Sequence, residues 1–414
     1  MSTAERAPAF AVIGAGYGDE GKGVVTDALA DRLGAGTVVI RHNGGAQAGH
    51  TVTTPDGRRH VFHHVGSGSF AGASTFLSRH FASNPIVLAG EIAALAQLGV
   101  APRIRADERG LLTTPWDMMI NQFVEEARGG GRHGSCGLGF GETIERNLNP
   151  AFATDLAMLR GDLGRLRDRF DRIRRQWVPA RLTRLGHPGL YLRHRDLILS
   201  EEGLERAVAL AVGMLAHVDL AGRPSEAVAA DTPVIFEGAQ GLMLDQDRGA
   251  FPHVTRSNTG LANVLDVAGE LGFGRLQAVY ATRAYVTRHG AGPLAHEQVA
   301  PPSPLFADAT NRPNPWQGQL RFGRLDLDVL GGAIRADLSD AEGRLQVEPR
   351  LAMTCLDQFE GRPVSWMSGG CTVQGPAERL AEAAAAMVSD GNLPLSSYGP
   401  SRTTLCNLAA EVKA

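Results

Sequence analysis

The chain has 414 residues, of which 43% are hydrophobic and 21% are charged, and its formal net charge at pH 7 is −3. This composition is typical of a folded globular protein and excludes a disordered or fibrous chain. The small net charge gives no indication of binding to nucleic acid or to an anionic membrane, so we expect a small-molecule ligand.

Cysteine spacing and the ends of the chain indicate compartment and domain organisation. The four cysteines (Cys136, Cys355, Cys371 and Cys406) lie far apart and form no C-x-x-C pair, which predicts free thiols and no structural zinc site. Since no charged-then-apolar leader precedes Phe10 and no apolar run reaches about 18 residues, we expect a cytoplasmic protein without a membrane segment. Residues 1–8 are predicted to be disordered and residues 9–414 to form a single domain.

A glycine-rich segment near the N-terminus is the first functional signal. Residues 10–13 predict a buried strand, residues 14–23 a glycine-rich turn and residues 24–33 a helix, an arrangement that suits a bound phosphate. Residues 16–22 match the G-x-x-x-x-G-K pattern, but Gly23 replaces the usual Ser or Thr whose hydroxyl holds Mg²⁺. Asp19 inside the turn can supply a hard oxygen instead. A purely structural turn has no use for Asp19, Glu20 and Lys22 together.

The remaining elements alternate between strands and helices. Residues 37–40 predict a second strand, and residues 41–50 the loop at its C-terminal end, where ligands bind in open parallel sheets. Residues 85–98 predict a strand that turns into a helix. Further helices are predicted within residues 116–128, 205–217 and 376–389, and strands within 234–236 and 276–281. An amphipathic helix is predicted at 163–177, closed by Pro179, with a solvated arginine-rich face. The expected fold is α/β, with a large central, mainly parallel sheet and helices on both faces.

Four sequence blocks resemble the signatures of the adenylosuccinate synthetase family. They are G-D-E-G-K-G at residues 18–23, R-H-N-G-G-A-Q-A-G-H-T at 41–51, F-E-G-A-Q-G and its continuation at 236–259, and A-Y-V-T-R-H-G-A-G-P at 284–293. The resemblance implies a P-loop-like fold and a homodimeric ligase of purine biosynthesis. In this family GTP and Mg²⁺ phosphorylate the 6-oxo group of IMP, and L-aspartate then displaces the phosphate.

The resemblance also implies roles for individual residues. Asp19 would remove the N1 proton of the acceptor, His50 would stabilise the oxygen, and Lys22 would contact the transferred phosphate. A base and a cationic donor suit this chemistry, because the oxygen is a poor nucleophile until N1 is deprotonated. The catalytic residues would be Asp19, Lys22, His50 and Gln240. The donor would contact Gly18, Glu20, Gly21, Lys22, Gly23, Gly49, His50, Thr51, Asp357, Gly399 and Pro400. The acceptor would contact Asp19, Gln47, Ser135, Arg146, Gln240 and Thr255. Mg²⁺ would be held by Asp19 and the Gly49 carbonyl, the amine by Arg321, and Arg146 would project into the neighbouring subunit's nucleotide site.

Three segments depart from the family pattern. The acceptor-phosphate loop at residues 132–140 keeps its glycines but lacks two adjacent threonines. The amine loop at 311–326 keeps Arg321 from a run of arginines, with Arg312 and Arg324 nearby, and Cys355 stands where the family has a lysine beside the donor base. These departures leave open GMP or dGMP as acceptor, ATP or dATP as donor, and another amine.

Two other classes of function are also open. A P-loop GTPase or phosphotransferase would have little use for both Asp19 and His50, which a ligase requires. A catalytically silent paralogue is disfavoured because Asp19, Lys22, His50 and Gln240 are all present.

Overall fold

The structure is a computed structural model that describes residues 6–306, 318–389 and 392–408. Within these ranges the strands are β1 (Ala9–Gly14), β2 (Val38–Arg41), β3 (His50–Thr53), β4 (Arg59–Phe62), β5 (Ser74–Leu77), β6 (Ala82–Ser83), β7 (Ile104–Asp107), β8 (Leu111–Leu112), β9 (Val218–Ala221), β10 (Val234–Glu237), β11 (Arg275–Arg283), β12 (Val286–Arg288), β13 (Glu297–Gln298), β14 (Arg321–Gly323), β15 (Gln346–Thr354), β16 (Val364–Ser368), β17 (Cys371–Gly375), β18 (Leu395–Ser397) and β19 (Leu405–Cys406). The α-helices are α1 (Lys22–Leu33), α2 (Pro85–Gln97), α3 (Pro115–Arg128), α4 (Phe140–Asn147), α5 (Leu163–Arg172), α6 (Val178–Arg184), α7 (Pro188–Arg193), α8 (Arg195–Ile198), α9 (Glu201–Gly213), α10 (Pro224–Ala227), α11 (Leu261–Leu271), α12 (Leu327–Leu338) and α13 (Ala377–Ala386).

A large central sheet organises the described residues. Its strand order is β19-β18-β15-β11-β1-β10-β2-β5-β7-β9. Neighbouring strands from β18 to β9 are parallel, and β19 pairs antiparallel at one edge. Strands β1, β2 and β10 are buried at every position, as expected for a parallel sheet that is covered on both faces. The predicted α/β architecture is confirmed.

Alternate residues of β1 pack into two separate cores. Phe10 and Val12 pack with the apolar side of α1 on one face of the sheet. Ala11 and Ile13 pack with α11, α12 and α13 on the other face. A third cluster, built largely from α3, α5 and α9, covers the β5–β7–β9 end of the sheet. The carboxyl edge of β1 is therefore held between two layers of helices, with its glycine-rich loop leaving the sheet there.

The predicted helix at residues 163–177 differs from the observed one. Helix α5 ends at Arg172, a π-helical turn spans Ile173–Trp177, and α6 continues the chain. Pro179 does not end this helical region, because it lies in the first turn of α6, directly after the π-helical turn, and the helix continues through it. Leu163, predicted on the apolar face, is 50% exposed.

Several other boundaries also differ from the predictions. Residues 85–98 contain helix α2 without the predicted strand at its start. Residues 1–5 of the segment predicted to be disordered lie outside the described residues. The backbones of Ala7 and Pro8 hydrogen-bond with those of Ala230 and Val234. The four cysteines are free thiols. No helix within the described ranges is long and apolar enough to cross a membrane.

Candidate active site

The glycine-rich loop between β1 and α1 has the backbone geometry of an anion cradle. Gly18 has a φ of 119° and Gly21 a φ of 77°, which side-chain-bearing residues rarely adopt. A Cβ atom on Gly21 would also lie 2.9 Å from Cγ2 of Thr354. In the described part of the chain α1 has no side-chain cap at its N-terminus. The first N–H groups of this helix, at Lys22 and Gly23, are therefore available to a phosphate.

Glu20 and Lys22 lie inside this loop. Glu20 Oε1 accepts hydrogen bonds from the Gly16 and Gly18 N–H groups at 3.1 and 2.6 Å. Glu20 Oε2 lies 3.1 Å from Lys22 Nζ, which also donates to the carbonyls of Gly18 at 2.8 Å and Gln240 at 2.6 Å. Glu20 therefore holds the loop's own backbone, and its buried position does not support the predicted direct contact with the donor.

His50 is held by a carboxylate from a neighbouring strand. Its Nδ1 lies 2.9 Å from Oε1 of Glu237, whose Oε2 contacts Arg41 at 3.4 Å and the Ser67 N–H at 3.1 Å. All of these groups are buried. Strand β10 lies between β1 and β2, and its register places Glu237 beside both Arg41 and Val12.

The protonation of this pair follows from its surroundings. Burial lowers the pKa of His50 to about 4, although Glu237 opposes the shift. Burial alone would raise the pKa of Glu237, but His50 and Arg41 outweigh it and lower that pKa to about 2. The ionised carboxylate can only accept a hydrogen bond, so neutral His50 carries its proton on Nδ1 and presents Nε2 as an acceptor.

Asp19 is partly exposed at the tip of the same loop. Its Oδ2 lies 3.3 Å from Nε2 of His289, and its side chain is 20% exposed. Arg283 Nε donates to the Asp19 carbonyl. Burial would raise the pKa of Asp19, but His289, Arg283 and Lys22 together lower it, so the carboxylate is ionised at neutral pH.

The structure brings Asp19, Lys22 and His50 to one edge of the sheet. The charge of Lys22 influences the pKa of both other residues. A Cβ atom on Gly23 would lie 3.2 Å from Cβ of His50, so the start of the His50 side chain packs against the first turn of α1. The predicted catalytic groups from the first and second glycine-rich loops are therefore neighbours around one lysine.

Two glutamines have unsatisfied buried amides. Oε1 of Gln240 and both amide atoms of Gln47 are buried, with no hydrogen-bond partner among the residues described. Gln47 Oε1 and the Phe140 ring lie on the same side of Gly45, and Phe140 begins α4. Because buried polar groups in native structures are nearly always paired, these amides favour a bound ligand. The contacts of Gln47 and Gln240 with the acceptor stay a prediction.

Ser135 and Thr255 were also predicted to contact the acceptor. Ser135 Oγ donates to Asn121 Oδ1 at 2.8 Å and accepts from the Gly137 N–H at 3.3 Å, so its hydroxyl supports its own loop. The Thr255 N–H donates to the Leu244 carbonyl at 2.8 Å, and its side chain is nearly buried.

Arg146 has a structural position inside its own chain. Its guanidinium is fully buried and pairs with both carboxylate oxygens of Asp117 at 2.9 Å. Its remaining donors bind the Leu112 and Phe152 carbonyls and the Thr154 hydroxyl. All five N–H groups of Arg146 have partners within its own chain, and its projection into a neighbouring subunit stays a prediction.

The segments predicted to bind the donor converge on α1. Thr354 Oγ1, at the end of β15, donates to the Glu20 carbonyl at 3.1 Å. Asp357 follows in the next turn, where partial burial of its carboxylate raises its pKa. A backbone bridge between Thr53 and Ser401 places Gly399 and Pro400 near β3. The Thr51 carbonyl packs near Gly23, and Gly49 is exposed beside His50.

Arg321, predicted to bind the amine, is engaged elsewhere. It makes a bidentate pair with Glu297 at 2.7 and 2.6 Å and donates to the Gly290 and Gly292 carbonyls at 3.0 and 2.9 Å. The structure therefore does not support the predicted amine contact. Residues 311–317 of the predicted amine loop, with Arg312, lie outside the described residues.

A cavity of about 50 Å³ lies beside the glycine-rich loop. Gly16, Tyr17, Val329 and Leu330 contribute to its lining, but Asp19 and His50 do not. The cavity therefore does not define the catalytic centre, which we place from the ionisable groups.

Sequence reasoning missed three residues of the site. The sequence patterns predict no role for Glu237, Arg283 or His289. His289 stands within the fourth signature block, and Glu237 precedes Gln240 in the third. Their positions in the blocks were the available signal, but their partners, His50 and Asp19, are distant in sequence.

A parallel sheet with its ionisable groups gathered around a phosphate-type loop at the carboxyl edge defines a nucleotide-binding α/β enzyme. A sequence profile described as "Adenylosuccinate synthetase" matches residues 11–337. The chain therefore belongs to the adenylosuccinate synthetase family, whose members are ligases, and the predicted family, fold and enzyme class are confirmed.

Individual relatives agree with this assignment. The adenylosuccinate synthetase of Myxococcus xanthus is 32% identical over 350 residues, covering 80% of this chain and 75% of the relative. The adenylosuccinate synthetase of Thioalkalivibrio sulfidiphilus is 34% identical over 297 residues, covering 69% of this chain and 64% of the relative. In the latter case the match spans slightly less than two thirds of the relative.

Two solved structures share the fold. The fully ligated adenylosuccinate synthetase of Plasmodium falciparum has a TM-score of 0.71 at 18% identity, covering 96% of this chain and 98% of that chain. The succinoaminodeoxyadenylate synthetase of cyanophage S-2L, bound to dGMP and dATP, has a TM-score of 0.57 at 16% identity. The match covers 97% of this chain and 95% of that chain.

Proposed function

We propose that this protein joins L-aspartate to IMP with GTP as the phosphoryl donor, forming adenylosuccinate through a 6-phosphoryl intermediate. The observation that carries the proposal is a buried His50–Glu237 pair and an ionised Asp19, each close enough to Lys22 for the lysine charge to affect its pKa. Membership of the family supplies the substrates.

Asp19 is suited to remove the N1 proton of the acceptor. Its carboxylate is ionised at neutral pH and partly exposed at the loop tip. As the proton leaves N1, electron density moves to the 6-oxygen, which attacks the γ-phosphorus of GTP and releases GDP. The amine of aspartate then attacks C6, the C–O bond breaks and phosphate leaves.

His50 is suited to stabilise the negative charge that builds on the 6-oxygen. In the described structure the imidazole is neutral, with Nδ1–H on Glu237 and Nε2 free to take a second proton. An anionic phosphate near Nε2 favours the imidazolium, and the buried carboxylate of Glu237 stabilises it from behind. Lys22 adds a fixed positive charge for the transferred phosphoryl group.

The residues present fit a Mg²⁺ ion. Asp19 offers an ionised oxygen ligand, and Gly49, which would contribute its carbonyl, is an exposed residue of the second loop. In the described ranges no group of three or more His, Cys, Asp or Glu side chains could hold a metal alone. This agrees with a Mg²⁺ ion that takes most of its ligands from phosphates and water. When bound, Mg²⁺ would neutralise charge on the transferring phosphate.

Membership of the family supports a proposal on the assembly and location of the protein. We infer a homodimer in the cytoplasm, with small-molecule substrates and no nucleic-acid or membrane partner. Arg146 contributes nothing to this inference, because it is buried in its own chain. Sedimentation of the purified protein measures its assembly.

The experiment that tests the activity is phosphate release by purified protein with GTP, Mg²⁺ and IMP, with and without L-aspartate. Release that requires both IMP and aspartate, with a product of the mass of adenylosuccinate, supports the proposal. Release that is indifferent to both identifies a GTPase and overturns it.

A substrate matrix separates the function from its specificity. IMP, GMP and dGMP are each combined with GTP, ATP and dATP, and the product is identified by mass spectrometry. Turnover of dGMP but not IMP would overturn the acceptor assignment while retaining the ligase class. Turnover only with ATP or dATP would overturn the donor assignment in the same way.

A further inference from the structure

A histidine outside the expected catalytic set contacts the proposed base. His289 Nε2 lies 3.3 Å from Asp19 Oδ2, and the two side chains are 17% and 20% exposed. An ionised carboxylate oxygen can only accept a hydrogen bond, so Nε2 carries the proton that points at Asp19. One oxygen of the base is therefore held by a ring from a distant part of the chain.

The turn that carries His289 is held by two arginines. Arg288 is almost fully buried and donates to carbonyls of the turn that follows it. Arg321, on strand β14, donates to the same turn, and Glu297 pairs with the other edge of the Arg321 guanidinium. The acceptors within the turn are the carbonyls of Gly290 and Gly292 for Arg321, and those of Ala291 and Pro293 for Arg288. A turn with its carbonyls bound in this way presents His289 in a defined position.

The same turn packs closely against a second loop of the site. A Cβ atom on Gly134 would lie 2.3 Å from Cα of Gly290, so the two backbones are in direct contact. Gly134 belongs to the loop at residues 132–140, which carries Ser135. His289 is thus fixed between the glycine-rich loop and the predicted acceptor loop.

We propose that His289 is a positioning residue for Asp19, and that Arg321 fixes the turn carrying His289 instead of binding the amine. The proposal rests on the proposed function, because that function assigns Asp19 as the base. With Oδ2 held by Nε2–H, the orientation of the carboxylate is fixed, and its remaining lone pairs are left for the N1 proton and the metal ion. Orientation of this kind matters because small misplacements of a reacting group are costly in rate.

The primary test compares His289→Val with His289→Gln, whose Nε2 amide can still donate to Asp19. We expect H289V to lower kcat by at least about tenfold, with the KM for IMP and GTP within about twofold of wild type. H289Q is expected to recover most of the loss. Positional isotope exchange in GTP, measured with IMP and without aspartate, reports the phosphoryl-transfer step and is expected to fall in parallel with kcat. Thermal melting checks that the variants are folded.

Arg321→Ala provides the second arm. If Arg321 fixes the turn, R321A lowers kcat and the isotope exchange while the KM for aspartate changes by less than about twofold. If Arg321 binds the amine carboxylate, the KM for aspartate rises at least about tenfold and the isotope exchange without aspartate is unchanged. The second result would overturn the assignment of Arg321.

Other outcomes would overturn the role of His289. These are wild-type kcat and isotope exchange in H289V, a change confined to the KM for IMP, or equal losses in H289V and H289Q. Failure of the proposed function is read separately, from wild-type protein that releases no phosphate with GTP, IMP and aspartate.

Discussion

Replacing Glu237 with glutamine tests the electrostatic role of the buried carboxylate behind His50. Glutamine keeps the size of the side chain and an oxygen acceptor for Nδ1–H, but it removes the negative charge 2.9 Å from the imidazole. In the wild type that charge opposes the effect of burial on the pKa of His50. In E237Q the pKa of His50 therefore falls further below about 4, and the imidazolium is harder to form.

The expected magnitude follows from the separation of the charges. Two unit charges about 4 Å apart interact by about 4 kcal/mol at an effective dielectric constant near 20. Because the glutamine dipole retains part of this attraction, we expect a loss of roughly 2–4 kcal/mol of transition-state stabilisation. Since about 1.4 kcal/mol corresponds to a factor of ten, kcat should fall roughly 30- to 1000-fold.

The assay is steady-state phosphate release with GTP, IMP and aspartate, on protein whose folding is checked by urea denaturation. E237Q also leaves the buried Arg41 without its carboxylate partner, and we expect a stability cost of about 3–5 kcal/mol.

Glu91→Gln is the matched control. Glu91 is buried beside His64 and accepts from the His63 and His64 N–H groups at 2.7 and 2.8 Å, so E91Q also removes a buried carboxylate charge.

E91Q should lose stability without losing kcat. Folded E237Q with wild-type kcat would refute the electrostatic argument. Equal losses of kcat in E237Q and E91Q would show that the effect is only structural.

Three further predictions concern Asp19, Arg146 and Asp27. Asp19→Ala should lower kcat by about 10²–10⁴-fold, because no other base replaces its carboxylate, and an active variant in the phosphate assay would remove the assigned role. Arg146→Ala should lower the free energy of unfolding by about 3–5 kcal/mol, measured in urea, because it leaves Asp117 buried without its partner; an unchanged urea midpoint would contradict this. Burial raises the pKa of Asp27 to about 7, so the folded state holds its proton more tightly than the unfolded state. Stability should therefore fall as pH rises from about 4 to about 7, by roughly 4 kcal/mol at most, and Asp27→Asn should remove this part of the pH dependence in urea titrations at pH 5 and 8.

Much of the fold could be predicted from local sequence patterns. The apolar runs of β1, β2 and β10, the glycines before α1 and the alternation of strands with helices all report on backbone conformation and burial near each residue. Predictions of helix boundaries failed where the conformation of neighbouring turns outweighed the local sequence pattern. The π-helical turn before α6, for example, moves Pro179 into a first helical turn, where it is tolerated.

The sequence by itself determined the α/β class, the phosphate-type loop, the family, and the candidate groups Asp19, Lys22 and His50. Only the tertiary structure decided how those groups are paired. Strand β10 inserts between β1 and β2, although it follows them by almost two hundred residues, and its register puts Glu237 behind His50. The contact between His289 and Asp19 and the burial of Arg146 have the same origin. The physical reason is that periodicity reports which face of an element is buried, whereas a pair of ionisable side chains depends on strand order and register between distant segments.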